Sequence, residues 1–136
     1  DFVISTSCFE HSEFFWLSFT ETLRILKPNG VFYMNAPSNG NFHRHPMDYW
    51  RFYPDAGNAL AEWARAYGYN NCYLLESFVG DKDDDIWKDF VSVYIKDINY
   101  VNQYPDRILN KVSAYTNGFK FGDNNISKLN WWKENG

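Results

Sequence analysis

The chain has 136 residues, 21% of them aromatic, and a formal net charge of −4. That length suits one domain with a real hydrophobic core. The acidic balance and the lack of a basic cluster argue against a nucleic-acid partner, and no apolar run approaches the ~18 residues a membrane-spanning helix needs. Cys8 and Cys72 are the only cysteines. They make neither a disulfide framework nor a C-x-x-C metal pattern, so a reducing, cytoplasmic setting is expected. The opening Asp1-Phe-Val-Ile4 has no initiator Met and no basic start of a secretory signal. Beginning inside a strand pattern, the chain reads as a fragment.

Phe2-Val-Ile4 is short, apolar and β-branched, which predicts a buried strand ending at Ser5 or Thr6. Cys8 to His11 then forms a strand-to-helix loop, with Ser12 placed as an N-cap. From Glu13 to Lys27, Phe15, Phe19, Leu23 and Leu26 recur at helical spacing and define one apolar face. Glu13 at the start and Arg24 and Lys27 at the end suit the helix dipole. Pro28-Asn-Gly30 stops that helix. Val31 to Ala36 is a second strand. A second helix follows Pro54, with Ala56, Leu60, Trp63 and Tyr67 as its stripe and Gly68 as its C-cap. Cys72–Phe78 and Phe90–Ile95 are two further strands. The connector between them, Gly80 to Asp85, is too short for a parallel crossover, so they should pair antiparallel. The order β-α-β-α-β-β predicts an α/β fold with a mainly parallel sheet. After Asp97 the composition turns Asn-rich, and the segment from 97 to 136 reads as an extension. It carries one helix after Pro105 with Ile108, Val112 and Tyr115, then an irregular tail. Trp131 and Trp132 are expected to dock on the domain.

Between the second strand and the second helix lies NAPSNGNFHRHPMDYWRFYPD, Asn35 to Asp55. A loop that long inside a compact domain is usually functional or disordered, and disordered segments are poor in aromatics. This one holds Phe42, Tyr49, Trp50, Phe52 and Tyr53, so it is read as an ordered wall of a binding site. His43 and His45 share a side only if the backbone is extended, and a third ligand would have to be Asp48. No HExxH-type or Cys-rich pattern accompanies them, so no metal is expected. Asp81, Asp83, Asp84 and Asp85 lack the spacing and closing Glu of a calcium loop and read as a solvated connector.

DFVISTSCFEH, the helix ending LRILKPNG, and VFYMNAPSNG together resemble the C-terminal half of a class I S-adenosylmethionine-dependent methyltransferase. The helix ending AYGY and the closing strand pair are similar too, so the resemblance covers residues 1 to about 96. It implies a partial Rossmann-like sheet whose last strand is antiparallel. It also implies S-adenosyl-L-methionine as cofactor and methyl transfer to a small-molecule acceptor. The family's first strand, glycine-rich turn and acidic ribose ligand have no counterpart here.

In open α/β sheets ligands bind at the carboxyl ends of strands. The resemblance therefore puts Ser5, Thr6, Ser7 and Glu10 beside the cofactor's methionine part and sulfonium. Asn35 leaves its strand at the same end. With His43, Arg44, Tyr49, Trp50 and Arg51 it forms the expected acceptor side. His11 or His43 is the candidate general base for an acceptor hydroxyl or amine. Ser5 to Ser7 can equally terminate a strand, Glu10 can cap a helix, and Arg51 can pair with Asp48 or Asp55. Phe52 and Tyr53 are expected to pack the start of the second helix onto the sheet. The alternative function is a non-catalytic scaffold that docks a partner or glycan through the aromatic loop 41–53. An apolar first strand at the sheet edge also predicts self-association.

Overall fold

The computed structural model describes residues 1–81 and 86–131. It is an α/β structure: a mixed five-stranded open sheet with two helices on one face. The strands are β1 (Phe2–Thr6), β2 (Val31–Pro37), β3 (Tyr73–Gly80), β4 (Asp89–Ile95) and β5 (Tyr115–Lys120). Their spatial order is β1-β2-β4-β3-β5. β1 and β2 are parallel, and β4 lies between β2 and β3, antiparallel to both. The short β3–β4 connection makes the expected antiparallel pair. The sheet is not mainly parallel as expected: among the described residues β1–β2 is the one parallel pair, because β4 inserts between β2 and β3 and β5 adds antiparallel to β3, which chain order alone did not reveal.

Helix α1 (Phe15–Ile25) is shorter than the expected span 13–27. Ser12 is not its cap: Phe14 holds the N-cap position without a side-chain bond, and Ser12 Oγ meets Ser18 Oγ at 2.8 Å. The Trp50 indole N–H takes the carbonyls of Ser12 and Glu13, which holds that stretch outside the helix. At the other end Leu26 is already extended, two residues before Pro28. Phe19 and Leu23 are fully buried on the sheet.

Helix α2 (Ala56–Tyr67) ends at Gly68 as expected. Its buried face is Gly57, Leu60, Ala61 and Ala64, rotated from the expected stripe. Trp63 and Tyr67 are exposed instead. The reason is close approach. A Cβ on Gly57 would meet Leu74 Cδ2 at 2.9 Å, so small residues let α2 sit low on β3. The main core lies between the two helices and the sheet, with Phe32, Met34, Phe90 and Tyr94 at its centre. Cys72 sits in it as a free thiol whose pKa burial pushes up to about 12.

β1 is an edge strand rather than a buried one. Phe2 and Ile4 are 68% and 69% exposed. Of the tail expected to be irregular from Phe119 onward, Phe119 and Lys120 close a strand, and residues 121–131 hold only turns and an isolated bridge. The sheet face away from the helices is partly covered by the segment after Asp97. It makes 3-10 turns at Ile98–Gln103 and Ile108–Asn110, then β5, which pairs antiparallel with β3. Among the described residues, no α-helix forms after Pro105. Glu76, 3% exposed, accepts the backbone N–H groups of Ile108 at 2.8 Å and Leu109 at 3.0 Å. A buried carboxylate holding two N–H groups is a strong local tether. Glu76→Ala is expected to cost about 2 kcal/mol and to raise the rate of limited proteolysis between residues 97 and 115. Cleavage at the wild-type rate would show that the tether does not hold this segment.

Trp131 is 64% exposed and does not dock on the domain. Trp132, Asp83, Asp84 and Asp85 lie outside the described residues, while Asp81 pairs with Lys88. Among the described residues, no helix is long and apolar enough to cross a membrane.

Candidate functional site

The parallel register sets Thr6, the end of β1, opposite Asn35, two residues before the end of β2, so both strands open toward the same side. Beyond Thr6 the backbone turns at Ser7, where φ is 48°, a left-handed conformation uncommon for a residue other than glycine. The Ser7 N–H donates to the Asn35 carbonyl at 3.0 Å and ties the two ends together. A 3-10 turn at Phe9–His11 then drops Phe9 into the core and brings Glu10 and His11 under the long loop.

The loop is ordered by specific bonds. Tyr49 and Trp50 donate their backbone N–H groups to the Glu10 carbonyl at 2.9 and 3.1 Å, and Phe52 donates to the Pro37 carbonyl. At its start, the Ser38 N–H donates to the Lys88 carbonyl, and the Lys88 N–H donates to Asn39 Oδ1. Phe52 is buried in the core as expected, whereas Tyr53 is 73% exposed. Gly40 is required by contact. Its φ is 105°, and an added Cβ would lie 2.0 Å from the Trp87 ring.

Inside the loop, Asp48 is the organising group. Its carboxylate takes a bidentate pair from Arg51, at 2.7 and 2.9 Å, and the backbone N–H of His43 at 2.8 Å. The Arg51 guanidinium holds the Asp48 carboxyl far below the usual carboxylate range, and Asp48 in turn raises Arg51. Arg51 also donates to the carbonyls of Trp50 and Asn41. Of the two carboxylates expected as its partner, Asp48 and Asp55, Arg51 pairs with Asp48.

These contacts enclose a concave pocket of about 270 Å³ lined by Ser7, Glu10, His11, Pro37, His43, Trp87 and Asp89. Ser7, Glu10, His11 and His43 were all singled out from sequence, and the fold brings them together. The His11 and His43 rings meet edge to face with centroids 4.9 Å apart. Glu10 is 1% exposed, and its Oε1 lies 3.6 Å from His11 Nε2. Burial pushes its carboxyl above the ordinary value, against the opposing pull of His11, His43 and Arg51. Ser5, Thr6 and Asn35 stand at the strand ends beside this pocket, without lining it.

Other expected residues lie elsewhere. Arg44 is exposed and donates to Met47 Sδ. Tyr49 is 39% exposed at the loop surface. Trp50 packs against Phe15 and Trp16 with its N–H already used, which anchors the loop to α1. His45, before a cis proline, is exposed. Trp87 and Asp89 were missed. Trp87 precedes β4 and Asp89 opens it, and only its insertion against β2, pairing Asp89 with Pro37, carries them to this end of the sheet.

No protein-family profile matches the sequence, and neither the curated proteins nor the solved structures yield a match.

Proposed function

We propose that the chain belongs to an S-adenosyl-L-methionine-dependent methyltransferase acting on a small-molecule acceptor. The observation that carries this reading is the pairing of two parallel strand ends over a polar pocket. Ser5 to Ser7 end one strand, Asn35 lies two residues before the end of the next, and Glu10, His11 and His43 close the far side. Such strand ends are where open α/β sheets take ligands. The antiparallel β3–β4 pair also agrees with the resemblance of residues 1 to 96 to that family. In this reading the cofactor supplies the reactive methyl group, and the protein binds and orients. Ser5, Thr6, Ser7 and Glu10 sit on the cofactor side. Asn35 and His43 face the acceptor, and His11 or His43 takes the acceptor's proton.

Calorimetric titration of the full-length protein with S-adenosylhomocysteine is the test. One saturable site is expected, weakened at least ~10-fold in Ser7→Pro, which cannot adopt the positive φ at the strand end. Absence of binding heat ends the methyltransferase reading.

Phe42 and Tyr53, 74% and 73% exposed, favour a second reading in which the loop docks a partner or glycan. That reading requires no cofactor binding, and capture of the partner would be lost in Phe42→Ala.

A further inference from the structure

We infer that Glu10, His11 and His43 form a binding site for a divalent transition-metal ion, of the zinc class, with an open coordination position facing the pocket. One ligand atom from each of the three residues can be chosen so that all lie within 4.8 Å of one another. Zinc–ligand bonds of 2.0–2.2 Å in a tetrahedron place ligand atoms about 3.4 Å apart, close to the 3.6 Å between Glu10 Oε1 and His11 Nε2. Small side-chain rotations close the remaining gap. The histidine pair from the loop alone, His43 with His45, is not the site. The ligands come from three turns that the sheet brings together.

Two independent features point to a ligand. The first is Glu10. Its carboxylate is 1% exposed and its Oε2 has no hydrogen-bond partner. A buried acceptor left unpaired costs free energy unless something satisfies it, and a cation does.

The second feature is the outer set of hydrogen bonds. A metal-binding imidazole generally donates its other ring N–H to a carbonyl or carboxylate, which fixes its orientation. His11 Nδ1 donates to the Met47 carbonyl, leaving Nε2 with a free lone pair toward Glu10. His43 Nδ1 lies 3.2 Å from the Asn41 carbonyl and 3.4 Å from Asp48 Oδ2. Arg51 Nη2 is also 3.4 Å away, but its hydrogens already go to Asp48 and Asn41 at 2.9 and 2.8 Å. His43 Nδ1 is therefore the donor, and its Nε2 keeps the lone pair. Both rings are prepared in the same way.

Two imidazoles and one carboxylate select a borderline metal over magnesium or calcium, which prefer all-oxygen sites. Three protein ligands with an exposed fourth position are the pattern of a reactive rather than a purely structural zinc site. An oxygen ligand, water or a hydroxyl, completes it from the pocket side. This inference does not depend on methyl transfer. With the ion bound, the Nε2 lone pairs of His11 and His43 are taken, and neither ring is then the acceptor's base.

The test uses cobalt(II) and zinc(II) as probes on the metal-free protein. Cobalt titration is expected to give a visible band saturating at one equivalent and displaced by zinc. His11→Ala and His43→Ala each weaken it at least ~10-fold, and His45→Ala leaves it unchanged. The chain has three histidines, so NMR of the unmutated protein provides a readout that needs no variant to fold. Zinc is expected to shift the ring signals of His11 and His43 and not those of His45. The inference is overturned by a missing saturable band, by a band that survives both His11→Ala and His43→Ala, or by zinc shifts confined to His45.

Discussion

Asp48→Ala is expected to destabilise the protein by about 3 kcal/mol and to disorder the long loop. One partner of a buried ion pair is removed while the other stays. The Asp48 side chain is 2% exposed and Arg51 is 20% exposed, so the arginine charge is left largely enclosed. The His43 N–H loses its acceptor as well. Arg51 keeps only the carbonyls of Trp50 and Asn41, and its Nε is already without a partner. The measurement is a urea melt together with the fluorescence of Trp50, whose ring ties the loop to α1. An unchanged midpoint would mean that the backbone bonds at Tyr49, Trp50 and Phe52 hold the loop by themselves.

The same pair sets a pH dependence. The folded carboxyl of Asp48 has a pKa well below the unfolded value, which is about 3.9. A group whose pKa is depressed on folding stabilises above the unfolded pKa, and that stabilisation is lost as pH falls. The difference between wild type and Asp48→Ala is therefore full near neutral pH. It shrinks steadily below about pH 4. A difference that stays constant to lower pH would rule out the ion pair as its source.

Phe19→Ala has the largest expected effect on stability, about 3–5 kcal/mol. Phe19 is fully buried between α1 and the sheet. Its ring centroid lies 4.7 Å from that of Tyr94 and 5.9 Å from that of Phe32. Those two rings belong to adjacent central strands, so the space cannot close without moving the sheet itself. With a urea m-value of about 2 kcal/mol per M, the midpoint should fall by roughly 2 M. A loss near 1 kcal/mol would mean that α1 slides inward to fill the void.

Much of the fold was legible because its signals are local. The apolar spacing through Phe15, Phe19 and Leu23, the stop at Pro28 and the cap at Gly68 act over a few residues. β5 was not legible. Tyr115-Thr-Asn-Gly-Phe-Lys120 contains Asn117 at a φ of 52° and Gly118, both residue types that strands usually avoid. It becomes a strand because the outer edge of β3 offers it backbone partners. The face of α2 was misread for a related reason. Trp63 and Tyr67 look like the core stripe by hydrophobicity, but only the small face of Gly57, Ala61 and Ala64 fits against Leu74.

By itself, the sequence determined two strands whose ends carry Ser5 to Ser7 and Asn35, and an aromatic, His-bearing loop that had to be ordered. Hydrophobic period, turn residues and composition act along the chain, so they can be read along it. Only the tertiary structure decided what those pieces face. The insertion of β4 against β2 brought Trp87 and Asp89 to the site. The turn after Ser7 swung Glu10 and His11 beneath the loop, against a histidine more than thirty residues away. Distance through space depends on strand order and on which hydrogen bonds close the loop. Neither leaves a mark in the spacing of residues.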